Sequence, residues 1–206
     1  RFLSEQRKKL DDAAQKLTES REAFMPEIEQ KITTMLQDLG IPNATFRIQR
    51  NDLDQYNDYG RDQVKFLFSA NKNVEMEEIS KVASGGELSR LMLSLKSTIA
   101  ETKALPTIIF DEIDSGTSGD IADRMGSIMK EMARNMQIVN ITHLPQIASK
   151  GDYHYKVYKQ DDNESTHTYI KQLSADERIE EIAKMLSGEK LTETALQNAR
   201  EFLQKS

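Results

Sequence analysis

The sequence predicts an α/β fold built around a parallel sheet, and three observations predict it. Thr107 to Phe110 is a short apolar run of β-branched and aromatic type, as expected of a strand buried on both faces. Gln137 to Thr142 is a second run of this kind. Between them, from Gly119, the residues Ile121, Met125, Ile128, Met129 and Met132 recur at helical spacing. Strand, helix and strand within roughly thirty-five residues make a βαβ unit, for which a right-handed crossover is strongly preferred.

The remaining elements follow along the chain. Leu3, Leu10, Leu17 and Phe24 recur every seventh residue with charged residues between them, the a-position of a coiled-coil heptad, the alternative being an ordinary amphipathic surface helix. Pro26 suits the first turn of a new helix better than the interior of an old one. The helical pattern resumes with Ile28, Ile32, Met35, Leu36 and Leu39 and stops at Gly40 and Pro42. Ala44 to Arg50 and Gln63 to Ser69 read as strands, joined by a polar loop from Asn51 to Arg61. Leu88, Leu91, Met92, Leu95 and Ile99 predict a helix that starts directly at Gly85-Gly86. Tyr153 to Lys159 and Thr166 to Leu173 read as a hairpin around Asp161 to Asn163. Two helices close the chain, over Ala175 to Leu186 and Leu191 to Leu203.

At 206 residues the expectation is one globular domain. The first residue, Arg1, falls inside a helical pattern and not ahead of a capping signal, so the chain is expected to be a segment of a longer protein. There is no run of about 18 apolar residues to cross a membrane. Neither a disulfide framework nor a signal peptide is legible, and a cytoplasmic setting is the default. A net charge of -6 argues against a large basic face that grips nucleic acid by counterion release.

Candidate chemistry lies where the strands end. In an open parallel sheet, ligands bind beyond the carboxyl ends of the strands, and Asp111, Glu112 and His143 all fall there. An apolar strand ending in Asp-Glu suits nucleotide hydrolysis: the aspartate can hold Mg2+ through its water shell, while the glutamate orients and deprotonates the attacking water. His143 is placed to contact a γ-phosphate. Taken singly, an acidic pair after a strand is more often solvated loop. A second signal is Ser84-Gly85-Gly86-Glu87, because glycines at a helix N-terminus let the backbone approach a phosphate; alone it reads equally as an N-cap and a tight turn. No Gly-x-x-x-x-Gly-Lys-Ser/Thr cradle occurs in the sequence. His154 and His167 read as ordinary strand residues, and the methionines as helix core.

The order of these pieces carries a resemblance. Lys81 to Arg90 resembles the signature motif of ABC-type ATPases in its SMC-like form. Thr107 to Glu112 resembles Walker B with its catalytic glutamate, Ile113 to Gly116 the D-loop, and Thr142 to Ala148 the switch-histidine segment. Leu-Pro-Gln-Ile-Ala after the histidine, and the Ser-Gly immediately after the D-loop, are most similar to the RecN family. The resemblance implies the C-terminal lobe of an ABC/SMC-type P-loop ATPase head, with residues 1–25 as the end of a coiled-coil arm and 26–206 as the head lobe. It implies that Asp111 binds Mg2+, that Glu112 is the general base, and that His143 contacts the γ-phosphate. Ser84, Gly85, Gly86 and Glu87 would cap the γ-phosphate of ATP held by a second head, and Asp114 would cross that interface. The implied partners are an N-terminal lobe bearing Walker A, a second head in an ATP-dependent homodimer, and DNA through the full-length protein. The implied role is repair of DNA double-strand breaks, and this lobe alone is expected to hydrolyse no ATP. The competing readings are another SMC-like head, or a non-hydrolytic coiled-coil assembly module.

Overall fold

In a computed structural model, the long N-terminal helix α1 (Phe2–Asp38) runs without a break through Pro26. Residues 2–82, 85–102, 105–161, 165–188 and 191–204 are described. The second helix expected to begin at Pro26 is therefore part of the first. Proline inside a helix costs about 3 kcal/mol through its missing N–H and its clash with the preceding turn. Packing on both sides of Pro26 offsets this: Ala14 and Thr18 are buried before it, Ile32 and Leu36 after it. The heptad residues themselves face solvent, with Leu3 81% exposed and Phe24 58% exposed.

Strands β1 (Thr45–Asn57) and β2 (Gly60–Ser69) form an antiparallel hairpin, and β2 also pairs with the two-residue β3 (Glu77–Glu78). Most of the polar loop expected over Asn51 to Arg61 is thus strand. Only Asp58 and Tyr59 turn, with Asn57 Oδ1 accepting the Tyr59 N–H at 2.8 Å and Gly60 taking a positive φ of 101°. The extension is polar because it docks on a polar stripe of α1 and not on an apolar core. Arg50 reaches Glu22 at 2.9 Å, Tyr56 donates to Asp11, and Asp62 accepts from Thr18 and Arg21. At the near end, Thr33 and Glu29 accept the Phe46 and Ile48 N–H groups at 3.3 and 2.7 Å, so helix side chains cover the open edge of β1.

The molecule forms two compact units, residues 1–102 and 103–206. The first unit has its own core: Ile32, Leu36, Ile41, Ala44, Phe46 and Phe68 close on Leu91 of helix α2 (Gly85–Thr102). That helix starts at the glycine pair, as its apolar spacing predicts.

In the second unit, β4 (Thr107–Asp111) and β5 (Gln137–Ile141) pair in parallel, from Thr107↔Gln137 to Asp111↔Ile141. They are joined through α3 (Gly119–Met132), which buries Ala122, Met125, Met129 and Met132. The predicted βαβ unit is present, and the three methionines of α3 are core. A short helix α4 (Pro145–Ala148), not anticipated, packs on α3. It comes so close that a Cβ on Gly126 would lie 3.3 Å from the Gln146 carbonyl oxygen and 2.9 Å from Lys150 Cδ. Strands β6 (Tyr155–Asp161) and β7 (Thr166–Gln172) form the expected hairpin, whose turn lies mostly outside the described residues. Helices α5 (Ala175–Ser187) and α6 (Glu193–Gln204) pack around Ile182, Ala183, Ala195 and Ala199. A capping box of Ser174 and Glu177 starts α5.

Candidate nucleotide-hydrolysis site

The parallel register decides where the acidic residues go. Asp111 is the last residue of β4 and stands opposite Ile141, so its exposed carboxylate lies at the carboxyl end of the sheet. Glu112 extends the ladder by one bond, its N–H donating to the Ile141 carbonyl at 3.2 Å. Its φ of 47° is left-handed, a conformation that costs a non-glycine residue about 1–2 kcal/mol. This turns the chain sharply off the strand and leaves the Glu112 side chain exposed. His143 lies two residues beyond the end of β5 and is exposed as well. The βαβ unit thus gathers Asp111, Glu112 and His143 at one edge, where ligands meet parallel sheets.

Asp114 behaves differently. It is fully buried, and its Oδ2 accepts a hydrogen bond from the Thr142 hydroxyl. Thr142 Oγ1 in turn accepts the Leu144 N–H at 3.0 Å. The Asp114 carbonyl accepts both the N–H and the hydroxyl of Thr117, at 3.0 and 2.7 Å. The loop is thereby closed back on its own unit, with Gly116 at a φ of 75° that a side chain rarely adopts. Thr142 is a member of this cluster to which the sequence assigned no role of its own. Its signal was present, since it immediately precedes His143.

The glycine-pair segment belongs to the first unit. Gly85, Gly86 and Glu87 form the first turn of α2, and Ser84 lies outside the described residues. Gly85 is exposed, and a Cβ built there would meet nothing within 4 Å among the described residues. One turn on, Arg90 is half-buried with its Nε bonded to nothing among the described residues. Burial pushes its guanidinium below the ordinary value, partly opposed by Glu87.

The donor set suits a hard divalent cation held together with phosphate oxygens. Asp111 supplies one exposed carboxylate, and among the described residues no three His, Asp or Glu side chains cluster into a cage. Mg2+ usually keeps several waters and takes only one or two protein carboxylates beside the phosphates. Asp111 fits that role.

No protein-family model matches the sequence. Curated relatives match it over nearly its whole length. The DNA repair protein RecN of Rickettsia bellii is 38% identical over 187 residues, 91% of this chain and 34% of the relative. RecN of Haemophilus influenzae is 36% identical over 207 residues, 98% of this chain and 37% of the relative. RecN of Deinococcus radiodurans is 38% identical over 190 residues, 92% and 33%. The chain therefore spans about a third of the length of these relatives. Among solved structures, the Smc head domain with a coiled coil and joint from Pyrococcus yayanosii aligns with a TM-score of 0.62 at 20% identity, covering 84% of this chain and 32% of that one. The SmcHead bound to the C-winged helix domain of ScpA aligns at 0.56 and 20% identity, over 75% and 44%. These neighbours show the fold: an α/β lobe of an SMC-type head.

Proposed function

Because the chain belongs to the RecN family of SMC-like head proteins, we propose that it is the C-terminal lobe of an ATP-hydrolysing head that serves DNA double-strand break repair. The observation that carries this reading is the parallel register that sets Asp111, Glu112 and His143 at one strand edge. Glu112 acts as general base on the attacking water, and its exposed carboxylate on a sharply turned backbone is free to reach it. His143 contacts the γ-phosphate. Asp111 holds Mg2+, which neutralises charge on the phosphates when bound. Ser84, Gly85, Gly86 and Glu87 cap the γ-phosphate of ATP carried by a second head, and the open space beside Gly85 at the start of α2 supports that assignment.

Two bare surfaces support a larger assembly. Ile109, Val139 and Ile141 are 61%, 41% and 52% exposed on one face of the β4–β5 pair. Parallel sheets are ordinarily covered on both faces, and we assign this face to the N-terminal lobe that carries Walker A. The solvent-facing heptad of α1 is the end of a coiled-coil arm, assigned to residues 1–25, with the head lobe over 26–206. Head engagement around ATP makes a homodimer, DNA is held by the full-length protein, and the setting is the bacterial cytoplasm. No helix among the described residues is long and apolar enough to cross a membrane.

ATP turnover by the full-length protein tests the reading. Glu112→Gln should lower turnover steeply while ATP-dependent head dimerisation persists, and Ser84→Arg should block dimerisation. Unchanged turnover in Glu112→Gln would leave only the non-hydrolytic assembly module.

A further inference from the structure

We propose that Asp114 is a positioning residue for His143, acting through the hydroxyl of Thr142. The proposal rests on the reading of His143 as a phosphate contact. A threonine hydroxyl has one hydrogen and two lone pairs. The Asp114 carboxylate, an acceptor only when ionised, takes the hydrogen. A lone pair is then left for the Leu144 N–H, bonded at 3.0 Å. Thr142 and Leu144 flank His143, so one half-buried hydroxyl holds the chain on both sides of an exposed histidine. The carboxylate decides which way that hydroxyl points.

Asp114 is well placed to do this because it is itself fixed. Its carbonyl is held twice by Thr117, and the residue is wholly buried. Its Oδ1 is buried with no hydrogen-bond partner among the described residues. Stability alone favours an apolar side chain over a carboxylate left partly unsatisfied, since an unmet buried acceptor is costly. A hydroxyl-to-carboxylate bond is short, strong and directional, which is what an anchor for a loop requires. The geometry also ties the two segments to each other: Asp114 lies two residues after Glu112, and Thr142 one before His143. Displacement of the loop after β4 would be felt at His143 through a single bond. Within this lobe the Asp114 side chain bonds to its own unit; the sequence resemblance assigns the same residue to the interface with a second head.

The test uses the fact that the chain has only three histidines. In ring carbon–proton NMR spectra of the chain, Thr142→Val should shift or broaden the His143 resonances and leave His154 and His167 in place. Leu144 amide exchange should accelerate on the order of ten-fold, the loss of about one hydrogen bond. Asp114→Ala should reproduce both changes, and Thr142→Ser, which keeps the hydroxyl, should behave as wild type. Wild-type His143 resonances and Leu144 exchange in Thr142→Val would overturn the proposal. In the full-length protein, Thr142→Val should lower kcat with KM for ATP unchanged, with Thr142→Ser restoring it. If His143→Ala leaves turnover untouched, the phosphate-contact reading fails, and the NMR result still decides the positioning role by itself.

Discussion

Replacing Asp62 by alanine should unfasten the outer half of the β1–β2 hairpin from α1. The Asp62 side chain is 1% exposed. It accepts from Thr18 Oγ1 at 2.9 and 3.0 Å, from Arg21 at 2.7 Å and from Arg50 at 3.1 Å. Burial pushes its carboxyl up, but the hydrogen bonds from Arg21, Thr18 and Arg50 together outweigh this and hold it below its ordinary value of 3.8. Breaking a buried pair by removing one partner costs about 3–5 kcal/mol when the other charge is left stranded. Here neither arginine is stranded: Arg21 keeps the Tyr59 carbonyl at 2.9 Å, and Arg50 keeps Glu22 and Asp52. The expected loss for Asp62→Ala is therefore lower, about 2–4 kcal/mol. Urea unfolding followed by far-UV circular dichroism at pH 7 measures it. Because the folded-state value is depressed, this stabilisation is fully present above the unfolded value and is lost as pH falls below 3.8 through the folded one. The gap between wild type and variant should thus narrow in acid. Thr18→Val should cost about 1 kcal/mol, and the double variant less than the sum, since both act on one carboxylate. An Asp62→Ala protein within about 0.5 kcal/mol of wild type at pH 7, or a gap that widens on acidification, would refute the reasoning.

Three further outcomes are expected. Glu112→Gln should lower the ATP turnover of the full-length protein by about 10²–10⁴-fold, the usual contribution of a general base, measured by phosphate release. Gly126→Ala should destabilise the second unit by about 1–3 kcal/mol, because a Cβ there meets the Gln146 carbonyl at 3.3 Å where α3 meets α4; chemical denaturation reads the loss, and a stabilised variant would contradict it. Ser174→Ala removes the acceptor of the Glu177 N–H at 3.3 Å and half of the capping box at the start of α5. It should cost about 1 kcal/mol, with amide exchange accelerating at the first turn of that helix.

The βαβ unit and its strand-end acids were legible because the signals are local. Apolar β-branched runs and a 3.6-residue methionine pattern fall within a few tens of residues, and a parallel pair places residues at its carboxyl edge without further information. The outer hairpin was not legible, because its stabilising partners are distant in sequence and polar. Asp62 binds Thr18 and Arg21 more than forty residues away, and an apolar pattern passes over a contact made of an aspartate, a threonine and an arginine. Pro26 misled for a related reason, since a helix stop inferred from local backbone chemistry gives way when both flanking segments are anchored by packing.

Asp114 marks the limit of motif reading at the site itself. The position of an aspartate three residues after a strand-end aspartate says that it lies in the loop, but not which way its side chain turns. Burial and the Thr142 hydroxyl settle that, and they change what the loop can do. An exposed Asp114 would be a contact waiting for another molecule. A buried one makes the loop after Glu112 and the turn at His143 a single mechanical piece, so the proposed general base and the proposed phosphate contact are placed together or misplaced together. The refuting observation is again a specific one: Thr142→Val turnover that falls while the His143 resonances stay put would mean that the hydroxyl acts on something other than the histidine.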